Sequence, residues 1–214
     1  TPSNSSAASD VYKRQQLNKN KVIIACAGSG KTTFLIEEAL KLKEERILIT
    51  TYTNENLKQI KEMFVEKVGC IPPNITVQTW FSFLLQEGVR PYQNQMADQR
   101  RVRSIFFQTK RSHYHKKNNY FTSADDIYSN KVSEFVYECD RKTNGQILKR
   151  LEKIFSHIFV DELQDFAGYD LNLLEFFFNA KINFVAVGDP RQAIFSTNTA
   201  QKCRQYRRSN IFSW

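Results

Sequence analysis

The chain has 214 residues, 41% hydrophobic and 13% aromatic, enough apolar material for a packed core, which excludes wholesale disorder. That length suits one ordinary domain or one domain carrying an insertion, and it falls short of two full-sized lobes. Lys and Arg number 31 against 22 Asp and Glu, a formal net charge of +9 that favours a polyanionic partner without identifying it. Cys26, Cys70, Cys139 and Cys203 are scattered with no CxxC pair, so neither a zinc cluster nor a disulfide framework is expected, and a reducing, cytoplasmic setting fits. No apolar run approaches the roughly 18 residues that span a bilayer, and the polar start lacks a signal-peptide core, so no membrane role is expected.

Residues 1–15 read as a low-complexity stretch, TPSNSSAASD, followed by DVYKRQ, which resembles a translated transposase adaptor. They are expected to be non-native or disordered, and the chain to be a piece of a longer one. From Lys21 onward, short β-rich runs alternate with helical stretches, the signature of a parallel sheet with crossover helices. Strands are expected at 22–25, 47–51, 75–79, 158–161 and 182–187. Helices are expected at 32–43, at 54–68 with Leu57, Ile60, Met63 and Phe64 on one face, and at 169–179. Residues 87–154 break this rhythm and read as an inserted subdomain, locally basic and aromatic.

The segment VIIACAGSGKTT, residues 22–33, sets a glycine-rich loop between a strand read as buried and a helix, the context of a P-loop. Gly28 and Gly30 let the backbone wrap around a phosphate, the helix N-terminus supplies positive potential, and Lys31 reaches the β and γ phosphates. Thr32 is expected to hold Mg²⁺. Ala25, Cys26, Ala27, Ser29 and Thr33 complete the cradle, with Ala25 standing where the common pattern has its first glycine. Cys26 reads as a small buried filler, or alternatively as a reactive thiol. In IFVDELQD, residues 158–165, a hydrophobic strand ends in two adjacent carboxylates. Asp161 can bind Mg²⁺ while Glu162 orients and deprotonates the attacking water. In FVAVGDPRQAIF, residues 184–195, another strand runs into a polar loop, and Gln192 is placed to sense the γ-phosphate.

Taken in order, ACAGSGKTT, VDELQD and VGDPRQAIF resemble the superfamily I helicases of the UvrD/Rep type. Thr51-Tyr52-Thr53-Asn54 is similar to that family's TxTN segment, and residues 79–83 (TWFSF) to its T-F-H-S-F segment, with Phe81 in the place of the histidine. The resemblance implies a RecA-like P-loop fold: a parallel sheet with helices on both faces and a small, mainly helical insertion. It implies a RecA-like ATP-binding domain at 16–86 and 155–200, a basic helical subdomain at 87–154 and a truncated tail at 201–214. ATP and Mg²⁺ are the implied cofactors, and single-stranded DNA and a second RecA-like domain the implied partners. Tyr52, Thr53, Asn54, Thr79 and Phe81 are then expected to face DNA. Where the family continues Gly-Trp-Arg-Gly, with a base-stacking Trp, this chain reads Ser196-Thr-Asn-Thr199, which leaves Tyr52, Trp80 and Phe195 as stacking candidates.

Residues 100–117 contain seven Lys or Arg and no acid. Phe106, Phe107 and Tyr114 could stack on bases while Arg101, Arg103, Lys110 and Arg111 neutralise phosphates; a solvated helix face is the alternative. His113 and His115 lack a Cys or acidic neighbour at ligand spacing. The functional expectation is an ATP-dependent helicase or translocase motor domain. The alternative is a regulatory NTPase switch serving a partner such as a nuclease, for example in phage defence, without processive unwinding.

Overall fold

The structure, a computed structural model, describes residues 20–26, 28–96, 101–107 and 120–192. Five strands, β1 (Lys21–Ile24), β2 (Ile47–Thr51), β3 (Ile75–Thr79), β6 (His157–Val160) and β7 (Asn183–Gly188), form one parallel sheet in the order β1-β7-β6-β2-β3. Side chains along a strand alternate between faces, so each run feeds two cores. Ile47, Ile49, Phe159, Val185 and Val187 pack on one side of the sheet, and Leu48, Ile158, Val160, Phe184 and Ala186 on the other. β2 lies inside the sheet with all five residues buried, as the continuous apolar run of a doubly covered strand requires.

The first face is covered by α1 (Lys31–Lys41) through Leu35, Ile36 and Ala39 and by α2 (Asn54–Val68) through Ile60 and Phe64. The Thr53 hydroxyl starts α2 by accepting the Asn56 N–H at 3.2 Å, and Gly69, at φ 82, ends it.

The second face is covered by α6 (Tyr169–Phe178) together with residues between β3 and β6. After β3 the chain runs through a four-residue helix α3 (Trp80–Phe83), a π-helical turn (Leu84–Val89) and a 3₁₀ turn (Arg90–Gln95). A two-residue parallel pair, β4 (Ile105–Phe106) and β5 (Ile127–Tyr128), precedes α4 (Val132–Lys142) and α5 (Gln146–Ile154). Phe135, Val136, Ile147 and Leu151 of these helices belong to the same apolar cluster as the sheet residues Leu48, Ile158 and Phe184. Asp170, 1% exposed, ties three helices together, accepting the Trp80 Nε1–H of α3 at 2.8 Å and the Ser133 hydroxyl of α4. Among the described residues no helix is long and apolar enough to cross a membrane.

Two expectations change. Among the described residues β1 is an edge strand bonded only to β7, and Val22 and Ile24 are 44% and 55% exposed, so the strand ahead of the glycine-rich loop is not a buried one. Trp80 is fully buried, edge-on to Phe166 and Phe177, with its one polar atom satisfied by Asp170. It has no open face for a base, because an indole whose N–H finds a buried acceptor packs as core.

Gly88, in the π-helical turn, lies so close to α4 that an added Cβ would meet Val136 Cγ2 at 2.7 Å. Gly88→Ala is expected to destabilise the protein by about 1–3 kcal/mol through overpacking. Combining it with Val136→Ala should recover about 1 kcal/mol or more relative to the sum of the two single changes, as read from denaturant midpoints.

Candidate functional site

The parallel register sets Ile24 opposite Gly188, Val160 opposite Ala186, Thr50 opposite Val160 and Thr51 opposite Thr79. All five strands therefore release their loops along one carboxyl edge, where open parallel sheets bind ligands. Ala25 N–H donates to Gly188 O at 3.1 Å and Ser29 N–H to Cys26 O at 3.2 Å, which turns the loop after β1 back over the sheet. Gly28 (φ 71) and Gly30 (φ 82) both occupy the left-handed region, and a Cβ on either would meet nothing within 4 Å. Backbone conformation, not crowding, thus calls for glycine, and the space above the loop is open. α1 starts directly after Gly30, so its positive end faces that space. Lys31 is 9% exposed, with Nζ donating to Cys26 O at 3.1 Å, which draws the ammonium back along the loop.

At the tip of β6, Asp161 is 2% exposed. It accepts the Thr32 hydroxyl at 2.8 Å through Oδ2 and the Glu162 N–H at 3.0 Å through Oδ1. Burial pushes the Asp161 carboxyl up to about 6, the Thr32 hydrogen bond opposes that, and the charge of Glu162 adds to it. Asp165 is pushed to about 6 as well, by burial first and then by the charges of Glu162 and Asp161. The Asp161 carboxylate and the Thr32 hydroxyl beside it are hard oxygen donors, the chemistry that suits Mg²⁺. No cluster of three or more metal-holding His, Cys, Asp or Glu side chains occurs among the described residues, so a cation here would rely on Asp161, Thr32 and ligand oxygens. Glu162 is itself in the left-handed region (φ 54, ψ 51), a strained conformation for a non-glycine residue of the kind found at functional sites.

Past β7, Asp189 is 2% exposed and organises the turn Pro190–Gln192. Its Oδ1 accepts the Arg191 N–H at 2.9 Å and its carbonyl accepts the Gln192 N–H at 3.1 Å. The exposed Gln192 is thereby held on the same edge as the glycine-rich loop. Arg191 reaches the loop, its guanidinium donating to Cys26 Sγ at 2.8 Å. Cys26 is exposed and hydrogen-bonded, which corrects its reading as a buried filler: it follows the strand at the edge of the sheet among the described residues.

At the β2 and β3 ends of the same edge lies an open pocket of about 710 Å³ lined by Tyr52, Thr53, Asn54, Thr79, Phe81, Arg90, Arg103 and Phe107, among others. Phe81 is half-buried and meets Phe107 edge-on at 5.6 Å; Phe107 is 61% exposed. Tyr52 is only 8% exposed, set between Phe81 and Phe166, so it contributes wall rather than an open ring face. Thr79 Oγ1 accepts the Ser82 N–H, which fixes the turn beneath Phe81. Arg101 is exposed outside this lining. Ala27, Lys110, Arg111, His113, Tyr114, His115 and Phe195 lie outside the described residues.

The sheet therefore gathers Lys31, Thr32, Asp161, Glu162 and Gln192 at one end of its carboxyl edge, and Thr53, Asn54, Thr79, Phe81 and Arg103 at the other. Sequence reasoning passes over Gln164, Asp189 and Arg191, which link the acidic turn, the β7 turn and the loop. A glutamine at the strand-end turn of a buried sheet is the available signal, because a buried amide has to find partners.

A glycine-rich loop with its lysine, facing a strand-end aspartate across a five-stranded parallel sheet, defines a RecA-like P-loop protein. The chain belongs to the UvrD/REP helicase N-terminal domain family, whose profile matches residues 9–87 and 66–204. It is similar to the Gabija protein GajB of Bacillus cereus (strain VD045), 28% identical over 202 residues covering 85% of this chain and 40% of that protein. It is also similar to the ATP-dependent DNA helicase Rep of Buchnera aphidicola subsp. Schizaphis graminum (strain Sg), 24% identical over 247 residues covering 86% of this chain and 37% of that protein. The chain thus spans about two fifths of the length of these relatives.

The raised Asp161 carboxyl has a consequence for stability. With a folded value near 6 against an ordinary 3.8, the folded state binds more protons than the unfolded one between those values, so this group costs stability as pH rises through 6. In metal-free buffer with a chelator, Asp161→Asn is expected to be more favourable relative to the parent at pH 7.5 than at pH 5, by of order 1–2 kcal/mol. Thermal melts of both proteins across that range check it; a pH-independent difference would contradict it.

Proposed function

We propose that this chain is the ATP-binding motor domain of a UvrD-like DNA helicase or translocase, a cytoplasmic ATP hydrolase that binds ATP with Mg²⁺ and single-stranded DNA. The observation that carries the reading is the 2.8 Å hydrogen bond from Thr32 to Asp161, which brings the loop helix and the acidic strand end to one point beside Lys31. Residues 25–30 and the N-terminus of α1 cradle the phosphates, Lys31 neutralises charge on the β and γ groups, and Thr33 adds to the first turn. Thr32 and Asp161 hold Mg²⁺, which when bound neutralises charge on the phosphate oxygens. Glu162 orients the attacking water and takes its proton, and Gln192 senses the γ-phosphate from the β7 turn.

Single-stranded DNA crosses the β2 and β3 ends of the edge. Thr53, Asn54 and Thr79 offer polar contacts beside the aromatic wall of Tyr52 and Phe81, and each base–ring stack there is worth roughly 1–3 kcal/mol. Arg101 and Arg103 neutralise phosphates, with Lys110, Arg111 and Phe195 as further contacts, so binding weakens steeply with salt. A second RecA-like domain, closing over the nucleotide, completes hydrolysis in the whole protein. The chain by itself binds ATP, hydrolyses it slowly and does not unwind DNA.

The test is ATP binding and hydrolysis with and without single-stranded DNA at two salt concentrations. Glu162→Gln is expected to keep nucleotide affinity and to lose turnover by about 10²-fold or more, whereas Lys31→Ala loses both. Normal hydrolysis by Glu162→Gln would remove Glu162 from its role. Hydrolysis indifferent to DNA would favour the alternative, a nucleotide switch that answers to a protein partner such as a nuclease.

A further inference from the structure

The geometry points to Gln164 as a positioning residue that holds the Glu162 carboxylate and ties it to the turn carrying Gln192. This rests on the reading of Glu162 as the group that orients the attacking water. Gln164 lies on the short 3₁₀ turn Leu163–Asp165 after β6 and is 4% exposed. A buried primary amide has two donors and an acceptor to satisfy, and here its two ends serve different motifs. Nε2 donates to Glu162 Oε2 at 2.5 Å, a charge-assisted bond, while Oε1 accepts the backbone N–H of Asp189 at 2.9 Å. Asp189 in turn accepts the N–H groups of Arg191 and Gln192.

The bonds form a circuit around the space above the glycine-rich loop. Thr32 donates to Asp161, Asp161 accepts from the Glu162 backbone, Gln164 bridges Glu162 to Asp189, and Arg191 of the Asp189 turn donates to Cys26 of the loop. Glu162 needs such a tether. Its backbone is fixed in the left-handed region, but its carboxylate is only partly buried and lies near Asp161 and Asp165, whose charges repel it. The amide of Gln164 supplies the opposing hydrogen bond to the carboxylate. A shift of the Gln192 turn is transmitted through Asp189 N–H and Gln164 to the carboxylate. The orientation of Glu162 is thus coupled to whatever Gln192 contacts.

Two variants separate the two ends of the bridge. Gln164→Glu has the same shape and keeps an acceptor for the Asp189 N–H, but sets a carboxylate against Glu162. Gln164→Leu removes both bonds. Amide hydrogen exchange of peptides covering 186–192 reads the Asp189 end without nucleotide. Single-turnover ATP hydrolysis, which resolves slow chemical steps, reads the Glu162 end, and nucleotide titration reads binding. Exchange should speed up by about 10-fold in Gln164→Leu and stay near the parent's in Gln164→Glu. Hydrolysis should fall by about 10-fold or more in both, with nucleotide affinity within about twofold. Unchanged exchange in Gln164→Leu, or parental hydrolysis by Gln164→Glu, would overturn the proposal. Failure of the functional reading itself looks different: the parent would give flat nucleotide titrations.

Discussion

One hydrogen bond, from the Thr32 hydroxyl to Asp161, joins residues 129 positions apart and sets the geometry on which the candidate site depends. It exists because two strand ends, β1 and β6, are brought to the same edge with β7 between them, and because α1 begins without a spacer after Gly30. Asp161 pays a desolvation cost for its place, seen in its raised protonation range, and the Thr32 hydroxyl, the Glu162 N–H and the charge of Lys31 offset only part of it.

The sheet is built to hold these ends still. Its two apolar clusters cover both faces, and the second draws on the segment between β3 and β6 as much as on α6. Asp170 bonds α3, at the floor of the aromatic pocket, to α4 and α6. The pocket beside Phe81 rests on one of these clusters and α1, after the glycine-rich loop, on the other, and the strands of the sheet contribute side chains to both.

Much of this is legible in the sequence. Apolar runs bounded by turn residues expose the five strands to within a residue or two, and the loop and acidic motifs stand where strand, turn and helix agree. Strand neighbours are less legible. The KVII run of β1 reads as buried, yet among the described residues it has β7 on one side only, and periodicity carries no information on which strand is the edge. Trp80 reads as core more readily than as a stacking surface, and the decision lies with Asp170, 90 positions away, which satisfies its indole N–H. Gln164 is hidden for the same reason. Its importance comes from two partners, one two residues back and one 25 residues on, and only the fold brings the second within reach.

The account stands most directly on whether the loop and the β6 carboxylate act as a single site. Calorimetric titration of ATP into the chain, with and without Mg²⁺, and into Asp161→Asn under the same conditions, measures this. Mg²⁺ should strengthen ATP binding by the parent, and most of that gain should vanish in Asp161→Asn while metal-free affinity is retained. A parent that binds no nucleotide, or a Mg²⁺ dependence untouched by the substitution, would contradict it.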